Sequence, residues 1–468
     1  MAHLHRRAFL NMAGSAALVG SAAVRSRGAQ RRPPNFVFVL LDDMGWTDLG
    51  CFGSDLYETP HIDRLAAQGV RFTQAYSSCT VCSPSRAAVL TGKYPARLHL
   101  TDWIHGHERP HARLAVPDWT HYLPLEEVTI AEALRRAGYA TGHVGKWHLG
   151  TEAYWPEKHG FDRNIGGCEA GQPPSYFAPY RLPTLPDGPE GEYLTDREGA
   201  EACRFIRDSA GGPFFLYLAH YAVHQPLQAK QPMVDYYAAK STPELRHQNA
   251  AYAAMVLSVD DTMGQITALL DELGLAEDTF IFFTSDNGGL LRYSTDNAPL
   301  RAGKGSVYEG GVRVPLIVRG PGVSVGAECA EPVQGIDFYP TILELAGVEG
   351  DAGHNRAVDG ESLMPLLRQP GAPLGREALY WHYPHYHPGG AAPYGAVRVG
   401  DLSLTEFYED GHPELYNLRE DLSQTTDLAA QEPGLTDELQ GRLHAWRTSV
   451  GAQMPTPNPA YDPDLDLP

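Results

Sequence analysis

Asn35-Phe36-Val37-Phe38-Val39-Leu40-Leu41-Asp42-Asp43 is the stretch from which the fold is read: a continuous apolar run that stops at two carboxylates. A half-exposed strand alternates apolar and polar residues, whereas a strand covered on both faces is apolar throughout, so this run reads as a fully buried strand. Runs of the same kind recur at 213–219 (PFFLYLA), 279–284 (TFIFFT) and 314–318 (VPLIV). Between them lie helical patterns at 59–66, at 129–137 closed by Gly138, and at 250–273 closed by Gly274. Strand and helix alternate, which predicts an α/β fold: a large mixed, mostly parallel sheet sandwiched by helices.

From about Arg376 the style changes to aromatic and His-rich loops, short strands at 397–399 and 402–405, and a last helix around 436–449. The chain therefore divides into a larger domain over 33–375, a smaller C-terminal α+β domain over 376–454, and a Pro- and Asp-rich extended tail over 455–468. Ahead of these, His5-Arg6-Arg7-Ala8-Phe9-Leu10 leads into a weakly apolar stretch of small residues, the pattern of a twin-arginine (Tat) signal peptide over 1–30. That pattern predicts export of a folded protein by the Tat machinery to the periplasm or beyond. No apolar run reaches the ~18 residues of a membrane span, so stable membrane insertion is not expected.

With 57 acidic against 37 basic side chains, the 468-residue chain carries a formal charge of −20, which argues against a nucleic-acid partner. At 43% hydrophobic and 20% charged it is neither disordered nor fibrous. Its six cysteines permit disulfides in an exported protein, but no pairing can be read.

Two of the buried runs end in acids: Asp42-Asp43 after the first, and Ser285-Asp286-Asn287-Gly288-Gly289 after the third. Ligands of open α/β sheets gather beyond the carboxyl ends of the strands, so these groups can converge although distant in sequence. Each pair alone also fits a turn, since Asp, Asn and Gly dominate turns. Taken together, three carboxylates and an amide oxygen point to a hard cation, Ca²⁺ or Mg²⁺, rather than zinc.

The most informative segment is Cys79-Thr80-Val81-Cys82-Ser83-Pro84-Ser85-Arg86, continuing to Leu90-Thr91-Gly92. A C-x-x-C pair suggests a redox dithiol or half a zinc site, yet no second pair and no thioredoxin-like context accompany it. Cys82-x-Pro84-x-Arg86 at the head of a helix instead resembles the signature of the sulfatase family, in which the cysteine is oxidised to formylglycine. The resemblance runs from Asn35 to about Asp427. Its motifs come in family order: Leu41-Asp42-Asp43, the Cys82 segment, Gly145-Lys146-Trp147-His148-Leu149-Gly150, Val223-His224-Gln225-Pro226, Ser285-Asp286-Asn287-Gly288, and Gly303-Lys304-Gly305 through Glu309-Gly310-Gly311.

What the resemblance implies is specific. The fold would be alkaline-phosphatase-like, with the 33–375 domain catalytic. Asp42, Asp43, Asp286, Asn287 and the modified Cys82 would hold Ca²⁺, with Mg²⁺ as the alternative, and a formylglycine-generating maturation enzyme would be a partner. Arg86 would hold the formylglycine hydroxyl and nearby carboxylates. Lys146 and Lys304 would contact sulfate oxygens. His148 would serve as base, and His224, with Lys304, as acid at the bridging oxygen. The chemistry explains the residue types: sulfate ester cleavage needs an in-line nucleophile, positive charge on the nonbridging oxygens and a proton for the leaving alkoxide. A hydrated aldehyde offers two hydroxyls on one carbon, one to attack sulfur and one to expel sulfate, which a thiol cannot do.

For the substrate, the ring- and imidazole-rich stretch Tyr380-Trp381-His382-Tyr383-Pro384-His385-Tyr386-His387-Pro388 resembles a loop that bacterial carbohydrate sulfatases fold over the site, with His382 and His385 as contacts. Asp102, Trp103 and His105, soon after the Cys82 helix, form a second candidate patch. The resemblance implies a sulfated polysaccharide or glycosaminoglycan as substrate, and a galactose- or N-acetylgalactosamine-type unit is the expected sugar. An aryl sulfatase, a phosphonate or phosphate monoester hydrolase of the same superfamily, and an inactive carbohydrate-binding relative with unmodified Cys82 are the competing readings.

Overall fold

The computed structural model describes residues 32–291 and 294–466. The proposed signal peptide lies outside them. Asn35–Leu41 is a strand with all seven residues buried, and it sits at the centre of the main sheet. Thr279–Ser285 flanks it on one side and Phe214–Ala219 on the other, both parallel. Beyond Phe214–Ala219 come Ala140–Gly145 and Arg163–Ile165, again parallel. On the opposite wing Arg313–Arg319 runs antiparallel to Thr279–Ser285 and to Val70–Tyr76, and two short strands close that edge.

Both faces of this sheet are covered, which is why the central strands do not alternate. Val37, Val39 and Leu41 pack on one face with the helices Leu194–Ser209 and Ala250–Glu272. Phe36, Phe38 and Leu40 pack on the other with Cys82–Thr91, Ile130–Arg136 and Phe338–Ala346. Phe38 stacks between Tyr217 and Phe282 on the neighbouring strands, with ring centroids at 5.6 and 5.8 Å. Thr129 and Glu132 form a capping box at the start of one helix, and Asn249 caps another.

The second sheet is an antiparallel meander of Ala378–Tyr383, Tyr394–Val399, Leu402–Phe407 and Pro413–Asn417. Helix Pro433–Val450 covers it, with Leu439, Leu443 and Trp446 meeting Ala378, Val397, Leu404 and Leu415. Ala378–Tyr383 was expected as part of a loop; its aromatic residues form a strand because they pack between the meander and the main body, Trp381 lying 5.7 Å from Tyr76. The tail combines a short strand with turns and is pinned: Thr456–Pro457 pairs with Leu114–Ala115, and Asp466 forms an ion pair with Arg109. Every cysteine is free, and among the described residues no helix is long and apolar enough to cross a membrane.

Candidate active site

The loops leaving the carboxyl ends of the central strands are stitched together by their backbones. Asp42 N–H donates to the Ala222 carbonyl at 3.1 Å, Val223 N–H to the Asp42 carbonyl at 3.0 Å, and Asp286 N–H to the Leu41 carbonyl at 3.0 Å. Asp43 turns through a left-handed conformation (φ 62°), one that aspartate tolerates better than most side chains, and its N–H donates to Asp286 Oδ1 at 3.2 Å. Residues separated by more than 240 positions thus share one crevice, as the strand-end argument requires.

Into it the helix Cys82–Thr91 presents its first residue. Cys82 Sγ lies 3.5 Å from Asp42 Oδ1 and 3.5 Å from Lys304 Nζ. Ligand atoms of Asp42, Asp43, Cys82 and His224 all lie within 4.8 Å of one another. Lys146 Nζ donates to Asp42 Oδ2 at 2.7 Å, and Lys304 Nζ reaches Asp43 Oδ1 at 2.7 Å. One turn along the helix, Arg86 clamps Asp286 through Nε at 2.9 Å and Nη2 at 2.8 Å, while Nη1 donates to the Lys146 carbonyl at 3.0 Å. Asn287 Nδ2 donates to Asp43 Oδ1 at 2.8 Å, and its Oδ1 is buried without a hydrogen-bond partner.

That unpartnered amide oxygen, among three carboxylates, is a hard donor set of the kind Ca²⁺ and Mg²⁺ take. Three carboxylates face three cations here, so the cluster alone is near neutral and a divalent ion would turn it into an anion trap within an acidic protein.

The protonation pattern follows from burial and neighbours. Burial pushes the Cys82 thiol up to about 12 against the pull of Lys146 and Lys304, so an unmodified Cys82 is a neutral, unreactive thiol at neutral pH. Burial works against ionising Asp43 as well, but Lys304 and then His224 hold its carboxyl well below the usual range. Burial raises Asp286 to about 6, with Arg86 opposing. His224 falls to about 3 through burial and the Lys304 charge, hence it is neutral. Its Nδ1–H donates to the Gln225 carbonyl at 2.9 Å, which leaves the Nε2 lone pair facing Lys304 Nζ at 3.2 Å. His148, likewise depressed by burial and Lys146, bonds the Ile104 carbonyl through Nε2, leaving Nδ1 as its basic nitrogen.

All of Asp42, Asp43, Cys82, Arg86, Lys146, His148, His224, Asp286, Asn287 and Lys304 are therefore gathered around one crevice. Three of the five proposed sugar contacts are instead turned to internal partners. Asp102 is buried, accepts from the Tyr383 hydroxyl at 2.8 Å and the Trp103 N–H at 2.9 Å, and is pushed up to about 7 by burial. His382 spends Nδ1 on the Tyr408 hydroxyl at 2.7 Å and Nε2 on the Gln453 carbonyl at 2.9 Å. His385 is buried against the Thr101 hydroxyl at 2.8 Å. These three are internal props: His382 is buried on the strand Ala378–Tyr383, Tyr383 at its end meets Asp102, and His385 just beyond it meets Thr101. Trp103 is half-buried, and His105 alone of the set is exposed.

Sequence reasoning missed His387, which lies against Gly305; a Cβ on that glycine would come within 2.2 Å of His387 Nδ1. Burial and Lys304 pull His387 down to about 4. It also missed Tyr176, whose hydroxyl donates to the carbonyls of Tyr221 at 2.6 Å and His224 at 2.9 Å, holding the His224 loop. His387 lies in the ring- and imidazole-rich stretch 380–388 without being singled out there, and nothing in the sequence marked Tyr176.

Acidic ligands, paired lysines and a helix-borne nucleophile position at the strand ends define a hydrolase of oxyanion esters. Comparison with known proteins narrows the class. The sulfatase family profile matches residues 34–348, and a profile described as N-sulphoglucosamine sulphohydrolase, C-terminal, matches 303–449. A sulfatase of Formosa agariphila is 32% identical over 505 residues, covering 91% of this chain and 90% of that protein. N-acetylgalactosamine-6-sulfatase of Homo sapiens is 36% identical over 382 residues, 75% of this chain and 68% of the relative. The crystal structure of Ps i-CgsB in complex with k-i-k-neocarrahexaose superposes with a TM-score of 0.77 at 29% identity, covering 92% of this chain and 95% of that one. The chain belongs to the sulfatase family and is a sulfuric ester hydrolase.

Proposed function

We propose that this chain hydrolyses O-sulfate esters on the sugars of a polysaccharide or glycosaminoglycan, with Cys82 oxidised to formylglycine by a maturation enzyme and Ca²⁺, or Mg²⁺, held by Asp42, Asp43, Asp286 and Asn287. The observation that carries the reading is the setting of Cys82: a buried, neutral thiol at a helix start, 3.5 Å from both Asp42 and Lys304. The relatives that cleave N-acetylgalactosamine sulfate or bind a neocarrahexaose support a galactose- or N-acetylgalactosamine-type unit. The twin-arginine pattern at 6–7 supports export to the periplasm or beyond.

Formylglycine, once hydrated, supplies the nucleophile and the second hydroxyl that releases sulfate; the cation supplies charge neutralisation. The chain does the rest. Lys146 and Lys304 flank the Cys82 position and would bind the nonbridging sulfate oxygens as charge builds on them. Arg86 fixes Asp286 and, through the Lys146 carbonyl, the backbone that carries the second lysine. His148 Nδ1 is a basic nitrogen oriented by the Ile104 carbonyl. His224 Nε2 and Lys304 Nζ, 3.2 Å apart, share the proton that the leaving alkoxide needs.

Mass spectrometry of the peptide containing Cys82, from chain made together with a maturation enzyme, should show the aldehyde mass in place of the thiol. Sulfate release from defined sulfated saccharides should then accompany that mass. Full activity from chain whose Cys82 remains a thiol, or faster turnover of matched phosphate esters, would overturn the reading.

A further inference from the structure

Beyond the catalytic crevice, the loop after the Cys82 helix carries a group of rings that the chemistry above does not use. Ile104 supplies the carbonyl that holds His148, and the next residue, His105, is exposed. The exposed imidazole of His121 stacks on Trp119 at 3.9 Å with the planes 28° apart. Burial first, and then the neighbouring His105, disfavour protonation of His121. The indole is held from behind: His385 meets it edge-on at 5.5 Å, and a Cβ on Gly106 would come within 3.0 Å of it. The segment that carries these rings is anchored at both ends, by Thr120 N–H to the His99 carbonyl at 2.7 Å and by Leu123 N–H to the Leu149 carbonyl at 3.0 Å. Leu149 directly follows His148. The segment is thus held by backbone hydrogen bonds at both ends, one of them to the residue that follows His148.

We infer that Trp119, His121 and His105 form a subsite for the sugar unit next to the sulfated one, so that the preferred substrate is an oligosaccharide. This inference rests on the functional reading above and deepens it. The outer face of His121, backed by Trp119, is open to the C–H face of a pyranose, and imidazole nitrogens at its edge can hydrogen-bond hydroxyls. The exposed carboxylate of Asp118 beside His121 repels a second sulfate, so the occupant is an unsulfated sugar. A segment held at both ends also loses little freedom on binding, which favours affinity.

The test compares kcat/KM for a singly sulfated tetrasaccharide and for the corresponding sulfated monosaccharide, by sulfate release, in the mature wild type, Trp119→Ala and His121→Ala. Wild type should prefer the tetrasaccharide, and each variant should lose about tenfold on it while changing less than twofold on the monosaccharide. His121 is exposed, so its variant keeps the test sound if Trp119→Ala compromises folding. Equal losses on both substrates, or none on the tetrasaccharide, would overturn the subsite while leaving the sulfatase reading intact. Absence of wild-type turnover on both would overturn the two readings together.

Discussion

Replacing Lys304 by alanine removes a cation whose Nζ is within 3.5 Å of the Cys82 sulfur, 2.7 Å from Asp43 and 3.2 Å from His224 Nε2. A unit charge at about 3.5 Å from a developing oxyanion is worth about 5 kcal/mol at an effective dielectric of about 20. Lys146 remains on the far side and the transition-state charge is shared over several oxygens, so roughly half of that should be lost. That corresponds to a fall in kcat of about a hundredfold, the usual scale for one preorganised charge-stabilising group. The assay is sulfate release from a sugar sulfate by mature enzyme, with unfolding followed in parallel. An aryl sulfate is the wrong test substrate on its own, because its phenolate leaves without a proton and conceals half of the role. Comparing the two substrates is therefore informative: the loss should be smaller for the aryl ester. Wild-type kcat on the sugar sulfate, with the Cys82 modification intact, would refute the placement of Lys304 at the reacting group.

His224→Ala should keep the fold and cost about a hundredfold on the sugar sulfate with little effect on an aryl sulfate, since it takes away the proton partner of Lys304; equal losses on both esters would assign it elsewhere. Saturating Ca²⁺ or Mg²⁺ should raise Tm, by about 2.7 kcal/mol of stability at a hundredfold excess over Kd, and Asp43→Asn should abolish most of the gain; calorimetry with and without chelator reads both. Asp102 gives a pH signature. Its carboxyl is raised from 3.8 to about 7 by burial, so the folded state holds a proton that the unfolded state releases. The stability it contributes is complete below about pH 4 and gone above about pH 7, at most about 4 kcal/mol. Asp102→Asn should therefore gain on the wild type in Tm as pH rises through that window, and a constant difference would sink the assignment.

The fold was legible wherever the local pattern matched the global environment. The apolar run at 35–41 could only be a strand covered on both faces, and Phe38 stacked between Tyr217 and Phe282 shows that cover at work. Asp42, Asp43, Asp286 and Asn287 were legible because strand ends converge by topology, whereas Arg86, Lys146 and Lys304 came only through the resemblance to the family's motifs. The burial of Asp102, His382 and His385 was not legible. His382 and His385 look identical to His387 in a sequence of alternating rings and imidazoles, yet the pairing of Ala378–Tyr383 turns His382 toward Tyr408, His385 meets Thr101, and His387 settles against Gly305. Which imidazole reaches the crevice depends on a strand whose start the composition did not reveal. Tyr176, 48 positions from the His224 carbonyl it holds, has no local signature at all.

All ten residues of the Cys82–Thr91 helix are buried, and the cysteine itself is 2% exposed. The maturation enzyme proposed above would therefore have to reach this side chain before the helix is packed away, and a copy that folds unprocessed would keep the thiol out of its reach until it unfolds.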